Sequence, residues 1–215
     1  MLRYLEQAGV ETRNPTLLGL GERQAEQSAE VGLTAQVDDL LSAIDAQPTP
    51  VILVGHSYGG VIASELAGLR PDKTLALVIL DGFLAKSGES LNETYPELPT
   101  IMSGLIDPER PSMINPAPAS MLGLGGVAGG DELCAEMTPT PVGCNDQPAR
   151  FTASEIRCPS YYLRFSRFPL FEATFERARS EGWIVEEMDL PHMATFTHPE
   201  EVTQYLLRIR NEAAS

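Results

Sequence analysis

Four short apolar runs punctuate the chain: Val51–Val54, Leu75–Leu80, Tyr161–Phe165 and Trp183–Leu190. The first two are almost unbroken Val, Ile and Leu, the pattern of parallel strands covered on both faces. A weaker strand is expected at Val10–Arg13, after a short opening helix over Leu2–Ala8. Between the runs the period changes. Thr34–Ala46 places Val37, Leu40, Leu41 and Ile44 at spacings of three and four, a single apolar stripe on a helix that Pro48 and Pro50 stop. Val61–Leu69, Phe171–Arg179 and Glu200–Arg210 have the same period, the second of these ahead of the last run and the third behind Pro199. Strands that alternate with helices predict an α/β fold, a mostly parallel sheet with crossover helices.

The rhythm breaks between Lys86 and Pro159. This stretch holds ten of the 17 prolines and a glycine-rich run, Gly123–Gly130. A long irregular insertion in a compact domain is more often a binding element than a linker, so residues 86–159 are expected to form a cap over the site. At 215 residues the chain is long enough for one domain, 1–215, with the cap inserted in it.

Charge narrows the partners. Thirty acids against 15 bases give a formal charge of −15, which repels phosphate backbones and anionic lipid and argues against nucleic-acid binding. No apolar run reaches the ~18 residues that span a bilayer, so no membrane segment is expected, and the opening residues do not read as a signal peptide. Cys134, Cys144 and Cys158 show no paired or metal-binding spacing. They fit reduced thiols in a cytoplasmic protein, and no metal or cofactor is implied.

The chemistry concentrates in Gly55-His56-Ser57-Tyr58-Gly59-Gly60, between the run ending at Val54 and the helix from Val61. Gly-x-Ser-x-Gly gains meaning in that setting. A strand turning sharply into a helix exposes the Ser57 hydroxyl above the sheet, with Gly55 and Gly59 expected to let the two backbones approach. The Tyr58 amide, at the helix amino end, can donate to a developing oxyanion. A serine needs a base, and there are three histidines. His56 is inside the elbow and suits packing or hydrogen bonding, and His198 precedes the last helix. His192, on the loop after the last strand, can reach Ser57 and is taken as the base. For the acid, the loop after Phe165 reads Ser166-Arg167-Phe168-Pro169 and offers no carboxylate. Asp81 ends its strand at the same sheet edge and is expected to orient His192. Glu172 would have to reach back from its helix, and Glu187 and Asp189 lie in the last run.

These residues resemble the α/β-hydrolase fold, more narrowly its branch of small esterases and hydroxynitrile lyases. Thr16–Arg23 is similar to the loop after that branch's first crossover helix, Val51–Gly60 to its nucleophile elbow, and Val78–Phe83 to the next strand. Pro191–Met193 with Pro199–Glu201 resembles its histidine loop and last helix, and Met137–Pro139 a cap segment. The branch usually takes its acid from the loop where this chain has Phe168. Thioesterase domains of polyketide synthesis are similar to this chain in placing it one strand earlier, as Asp81. Members also begin with strands ending in a His-Gly loop that supplies a second oxyanion donor. None precedes Leu2, so either the natural chain is longer or the sheet has an uncovered edge and turnover falls by about 10²–10³. The resemblance implies a serine hydrolase acting on a small apolar ester, thioester or lactone through an acyl-enzyme. The alternatives are a non-catalytic binding protein on the same fold, or a lyase or cyclase that uses the Ser57–His192 pair for proton transfer.

Overall fold

A computed structural model describes residues 1–213. From the amino end come α1 (Leu2–Gln7), α2 (Leu33–Asp45), β1 (Val51–Ser57), α3 (Gly59–Leu69) and β2 (Thr74–Gly82). Then follow α4 (Leu91–Thr94), α5 (Leu98–Ser103), β3 (Met113–Ile114), α6 (Gly130–Ala135), β4 (Thr140–Pro141) and α7 (Gly143–Asp146). The chain closes with β5 (Ser160–Phe165), α8 (Glu172–Ser180), β6 (Ile184–Met188), α9 (Ala194–Thr197) and α10 (Pro199–Ala213).

The main sheet is four-stranded and parallel throughout, in the order β1-β2-β5-β6. Its pleat explains why β2 is apolar at every position from Leu75 to Leu80. Leu77 and Ile79 point to one face, where α2, α3 and α8 contribute Val37, Ile62, Leu66 and Phe175. Ala76, Val78 and Leu80 point to the other, against Leu5 of α1 and Val202, Tyr205 and Ile209 of α10. Residues 76–80 are wholly buried, and each large aliphatic side chain so covered contributes about 1.5–3 kcal/mol. β5 divides the same way, Tyr162 facing the first cluster and Tyr161, Leu163 and Phe165 the second. The alternation that a half-exposed strand would show is absent because neither face meets water.

Two expectations need correction. Val10–Arg13 is not a strand: Val10 N–H closes α1 on Leu5 O, and the exposed Glu11 and Arg13 pair with each other. Extended chain without a neighbouring ladder has no pairing to stabilise it. The last run is also shorter than expected, because Trp183 and Leu190 flank β6 rather than extend it. β1 forms one edge of the sheet, and its Val54 is 41% exposed.

The proline-rich stretch contains short helices and the two-stranded β3–β4 ribbon, none of which the sequence pattern predicts. Leu91, Leu98, Leu124 and Cys144 anchor it in the interior. Its carboxyl end is held on α3, where the buried Glu65 carboxylate accepts from the Arg150 and Phe151 amides and pairs with the Arg150 guanidinium at 2.5 Å. No helix among the described residues is long and apolar enough to cross a membrane.

Candidate active site

β1 passes into α3 through Ser57, whose φ is +53°, in the left-handed region that L residues with a side chain seldom adopt. Ser57 O accepts from the Phe83 amide at 3.0 Å, which fastens the turn to the end of β2. A Cβ on Gly55 would fall 2.2 Å from Gly59 O, so the first turn of α3 rests directly on that glycine. Gly60 has the same constraint, its Cβ position lying 2.6 Å from Phe83 O. Gly59 differs from expectation: a Cβ there meets nothing within 4 Å. The backbones approach through Gly55 and Gly60, with Gly59 contributing its carbonyl rather than a missing side chain. Gly55→Ala is therefore expected to destabilise the fold by about 1–3 kcal/mol or more, and Gly59→Ala by well under ~1 kcal/mol. Urea unfolding of both variants measures the difference.

The end of β2 is irregular in a second, coordinated way. His56 pairs with Leu80 but Ser57 with Gly82, so Asp81 is an extra residue in the ladder, with φ at +43°. A bulge re-aims a side chain, and here it turns the Asp81 carboxylate toward the loop after β6. Oδ1 accepts from the Phe165 amide at 3.1 Å, and Oδ2 lies 2.7 Å from His192 Nδ1. On the other side of the imidazole, Nε2 lies 3.1 Å from Ser57 Oγ. Asp81 and His192 are 0% and 3% exposed, whereas Ser57 is only half-buried. Water is thus kept from Asp81 and His192 while Ser57 stays accessible. A carboxylate accepts, so His192 carries its proton on Nδ1 and turns the Nε2 lone pair to Ser57.

The remaining candidates are elsewhere. Glu172 is on the surface, 3.7 Å from Arg164. Glu187 pairs with Arg164 and Asp189 with Arg167. His198 sits between α9 and α10, with Nδ1 2.8 Å from Thr197 Oγ1. His56 Nε2 lies 2.8 Å from His192 O.

Burial sets the electrostatics. It lowers the His192 imidazole to about 4 from an ordinary 6.5, and it raises the Asp81 carboxyl, against the opposing pull of the Phe165 amide. The 2.7 Å contact between the His192 ring and the Asp81 carboxylate works against both shifts, because each charge stabilises the other. The resting state is a neutral His192 that donates to Asp81.

Three features escape a reading of the sequence. Phe168 stacks on the His192 ring, centroids 4.3 Å apart and planes 21° from parallel, and Phe171 lies at 5.7 Å. Phe168 thus occupies the loop after β5, which has no carboxylate, and covers one face of the His192 ring. The third is Gln36, 0% exposed on α2. Its Oε1 accepts from the Tyr58 hydroxyl at 2.8 Å and faces Cys144 Sγ at 3.5 Å, while its Nε2 donates to Leu18 O. Gln36 ties the residue after Ser57 to α2 and α7. A signal existed: Gln36 falls three positions after Leu33 and four before Leu40, a polar residue on the apolar stripe, which demands a buried partner.

Comparison with known proteins agrees with this architecture. A sequence model described as the alpha/beta hydrolase family matches residues 2–210. A carbendazim-hydrolyzing esterase from Nocardioides sp. is 37% identical over 94 residues, 43% of this chain and 39% of that protein. Lipase LipV from Mycobacterium tuberculosis is 41% identical over 80 residues, 37% of this chain and 30% of that one. The matched segments thus span well under half of these relatives. Among solved structures, an extracellular alpha/beta-hydrolase from a Paenibacillus species superposes with a TM-score of 0.80 at 20% identity, covering 96% of this chain and 90% of that one. Tomato methylketone synthase I in complex with beta-ketoheptanoate gives 0.81 at 15% identity, covering 99% and 90%. At these identities the likeness is one of fold.

Proposed function

We propose, from the premise that this chain belongs to the alpha/beta hydrolase family, that it is a serine hydrolase of small carboxylic esters. The observation that carries the reading is the relay Ser57 Oγ–His192 Nε2–Nδ1–Asp81 Oδ2, at 3.1 and 2.7 Å. His192 takes the Ser57 proton as Oγ bonds to the ester carbonyl carbon. The Tyr58 amide, at the positive end of α3, stabilises the oxyanion that forms. Collapse breaks the bond to the alkoxy group, which leaves with the proton from His192 Nε2. Water, deprotonated by the same nitrogen, then releases the acid and restores Ser57. Thioesters and lactones fit the same steps. Asp81 holds the ring in the tautomer that leaves Nε2 bare and offsets the imidazolium charge.

Residues 86–159 are read as the cap that selects a small apolar acyl or alcohol group. Support comes from its nearness to the histidine loop and α9, since a Cβ added on Gly123 would lie 3.8 Å from Pro191 and one on Gly129 3.4 Å from the Phe196 ring. A cytoplasmic setting is part of this reading, supported by three unbridged cysteines. Labelling with a fluorophosphonate and digestion tests the assignment: label at Ser57 is expected, and an unlabelled chain that binds the ester without turnover would favour the binding protein instead. A labelled chain that accumulates no acyl-enzyme from the ester would favour the lyase.

The pH profile follows from the burial of His192. Only the neutral ring accepts a proton, and its lowered value keeps it neutral to more acid pH than a free imidazole. The acid limb of kcat/KM is therefore expected below 6.5. Phe168→Ala admits water to the ring, stabilises the imidazolium and moves that limb upward. A limb that stays in place in Phe168→Ala would remove Phe168 from the control of the base.

A further inference from the structure

We propose that His56 is a positioning residue for the base: it fixes the backbone of His192 while Ser57 and Asp81 fix the ring. The inference rests on the Ser57–His192 relay as read above. The base arrives from far across the sheet. Its loop follows β6, the edge opposite β1 in the order β1-β2-β5-β6, and strands about 4.8 Å apart separate those edges by roughly 14 Å. A loop that returns over this distance needs an attachment at the β1 side, or the Nε2–Oγ distance is free to drift. His56 supplies it, with Nε2 2.8 Å from His192 O across 136 positions of sequence.

The chemistry of that contact defines the state of His56. A carbonyl oxygen only accepts, so His56 must donate from Nε2–H, which leaves Nδ1 without a proton. Its ring also lies against the base, centroids 4.7 Å apart, and 6.5 Å from Phe165. The charged and titratable groups facing it are His192 and Asp81. Scarcity of water and the neighbouring His192 lower its imidazole to about 4, with the His192 carbonyl and Asp81 opposing. A neutral His56 matters, because a second positive ring would repel the imidazolium that His192 becomes during turnover. Consecutive residues of β1 therefore hold two ends of one amino acid: residue 56 the main-chain oxygen, residue 57 the ring nitrogen. The ladder places both beside Leu80 and Gly82, on either side of Asp81. The three contacts to His192 are thus built on the paired ends of two adjacent strands, which is the rigid support that a relay needs.

The test compares His56→Leu with His56→Gln, whose amide nitrogen reaches about as far as Nε2 and can donate to the same carbonyl. On p-nitrophenyl acetate, His56→Leu is expected to lose about 10–100-fold in kcat with KM changed less than about twofold, as small misplacements of a catalytic group cost that much. His56→Gln should recover to within about threefold of the parent, with both variants melting within a few degrees of each other. A residue that only fills space predicts no advantage of His56→Gln over His56→Leu, since Leu packs as well as Gln. Parent kcat in His56→Leu, or a His56→Gln no faster than His56→Leu, would overturn the proposal. Ring ¹⁵N NMR reads it independently of turnover. His56 should hold the Nε2–H tautomer from pH 8 to about pH 5, and the His192 ring signals should shift in His56→Leu and not in His56→Gln. A parent that hydrolyses nothing overturns the hydrolase reading alone, and the spectra then decide His56: an Nδ1–H tautomer, or His192 signals indifferent to both variants, would exclude the role.

Discussion

Ser57→Ala is expected to abolish ester turnover, lowering kcat by about 10⁴–10⁶, while the protein keeps its fold. The hydroxyl is the group on the elbow that lies within reach of His192 Nε2, 3.1 Å away. Nothing nearby replaces it, because Tyr58 directs its hydroxyl to Gln36 on α2 and Cys144 is buried at the same glutamine, its thiol raised by burial to about 11. Stability should change little, by roughly 0.5 kcal/mol or less. Alanine and serine suffer alike from φ +53°, the backbone bond from Phe83 to residue 57 is retained, and one half-exposed hydroxyl loses one partner. Hydrolysis of p-nitrophenyl acetate alongside thermal melting checks both halves. Turnover within tenfold of the parent would remove Ser57 from the mechanism.

The strands were legible where burial on both faces left no ambiguity. Leu75–Leu80 reads as an inner strand, and in the structure residues 76–80 meet both core clusters while Leu75 stays exposed. The change to helical period after Gly60 was equally plain, since Val61, Ile62 and Leu66 need a face to bury. Val10–Arg13 carries β-branched residues without forming a strand because such residues record a preference for extended chain and not the presence of a neighbour. The serine and histidine were readable for a topological reason: a parallel sheet brings the carboxyl ends of its strands to one edge, so residues at those ends share a site. What the order of strands does not carry is side-chain aim. Asp81 sits in a bulge with positive φ, and no residue around it announces one, because Gly82 rather than Asp81 looks like the turn former. The stacking of Phe168 was hidden for the same reason. Only the return of the histidine loop across the sheet puts residue 168 against residue 192.

That same geometry gives Asp81→Asn the second large effect, a loss of about 10²–10⁴ in kcat/KM. The direction of the loss follows from two hydrogen bonds. The Phe165 amide donates to Asp81 Oδ1, and in the variant it selects the orientation in which the amide oxygen takes that place. The amide nitrogen then faces His192 Nδ1, where the carboxylate Oδ2 had been at 2.7 Å. An NH₂ group donates, so Nδ1 must accept, and the ring proton moves to Nε2. The lone pair that should take the Ser57 proton is gone, and an imidazolium formed there has no anion beside it. Both changes lower the rate, and neither disturbs packing, because asparagine has the shape of aspartate and keeps the bond to residue 165. Glu172→Gln provides the control: its carboxylate is 67% exposed and 3.7 Å from Arg164, and an exposed pair of that kind contributes less than about 1 kcal/mol to stability and nothing to the relay. Rates of the three proteins on p-nitrophenyl acetate decide the matter. Glu172→Gln should stay within about twofold of the parent, as a surface change does. An Asp81→Asn enzyme within about threefold would show that His192 works without its carboxylate, contrary to the cost that losing the correct tautomer imposes.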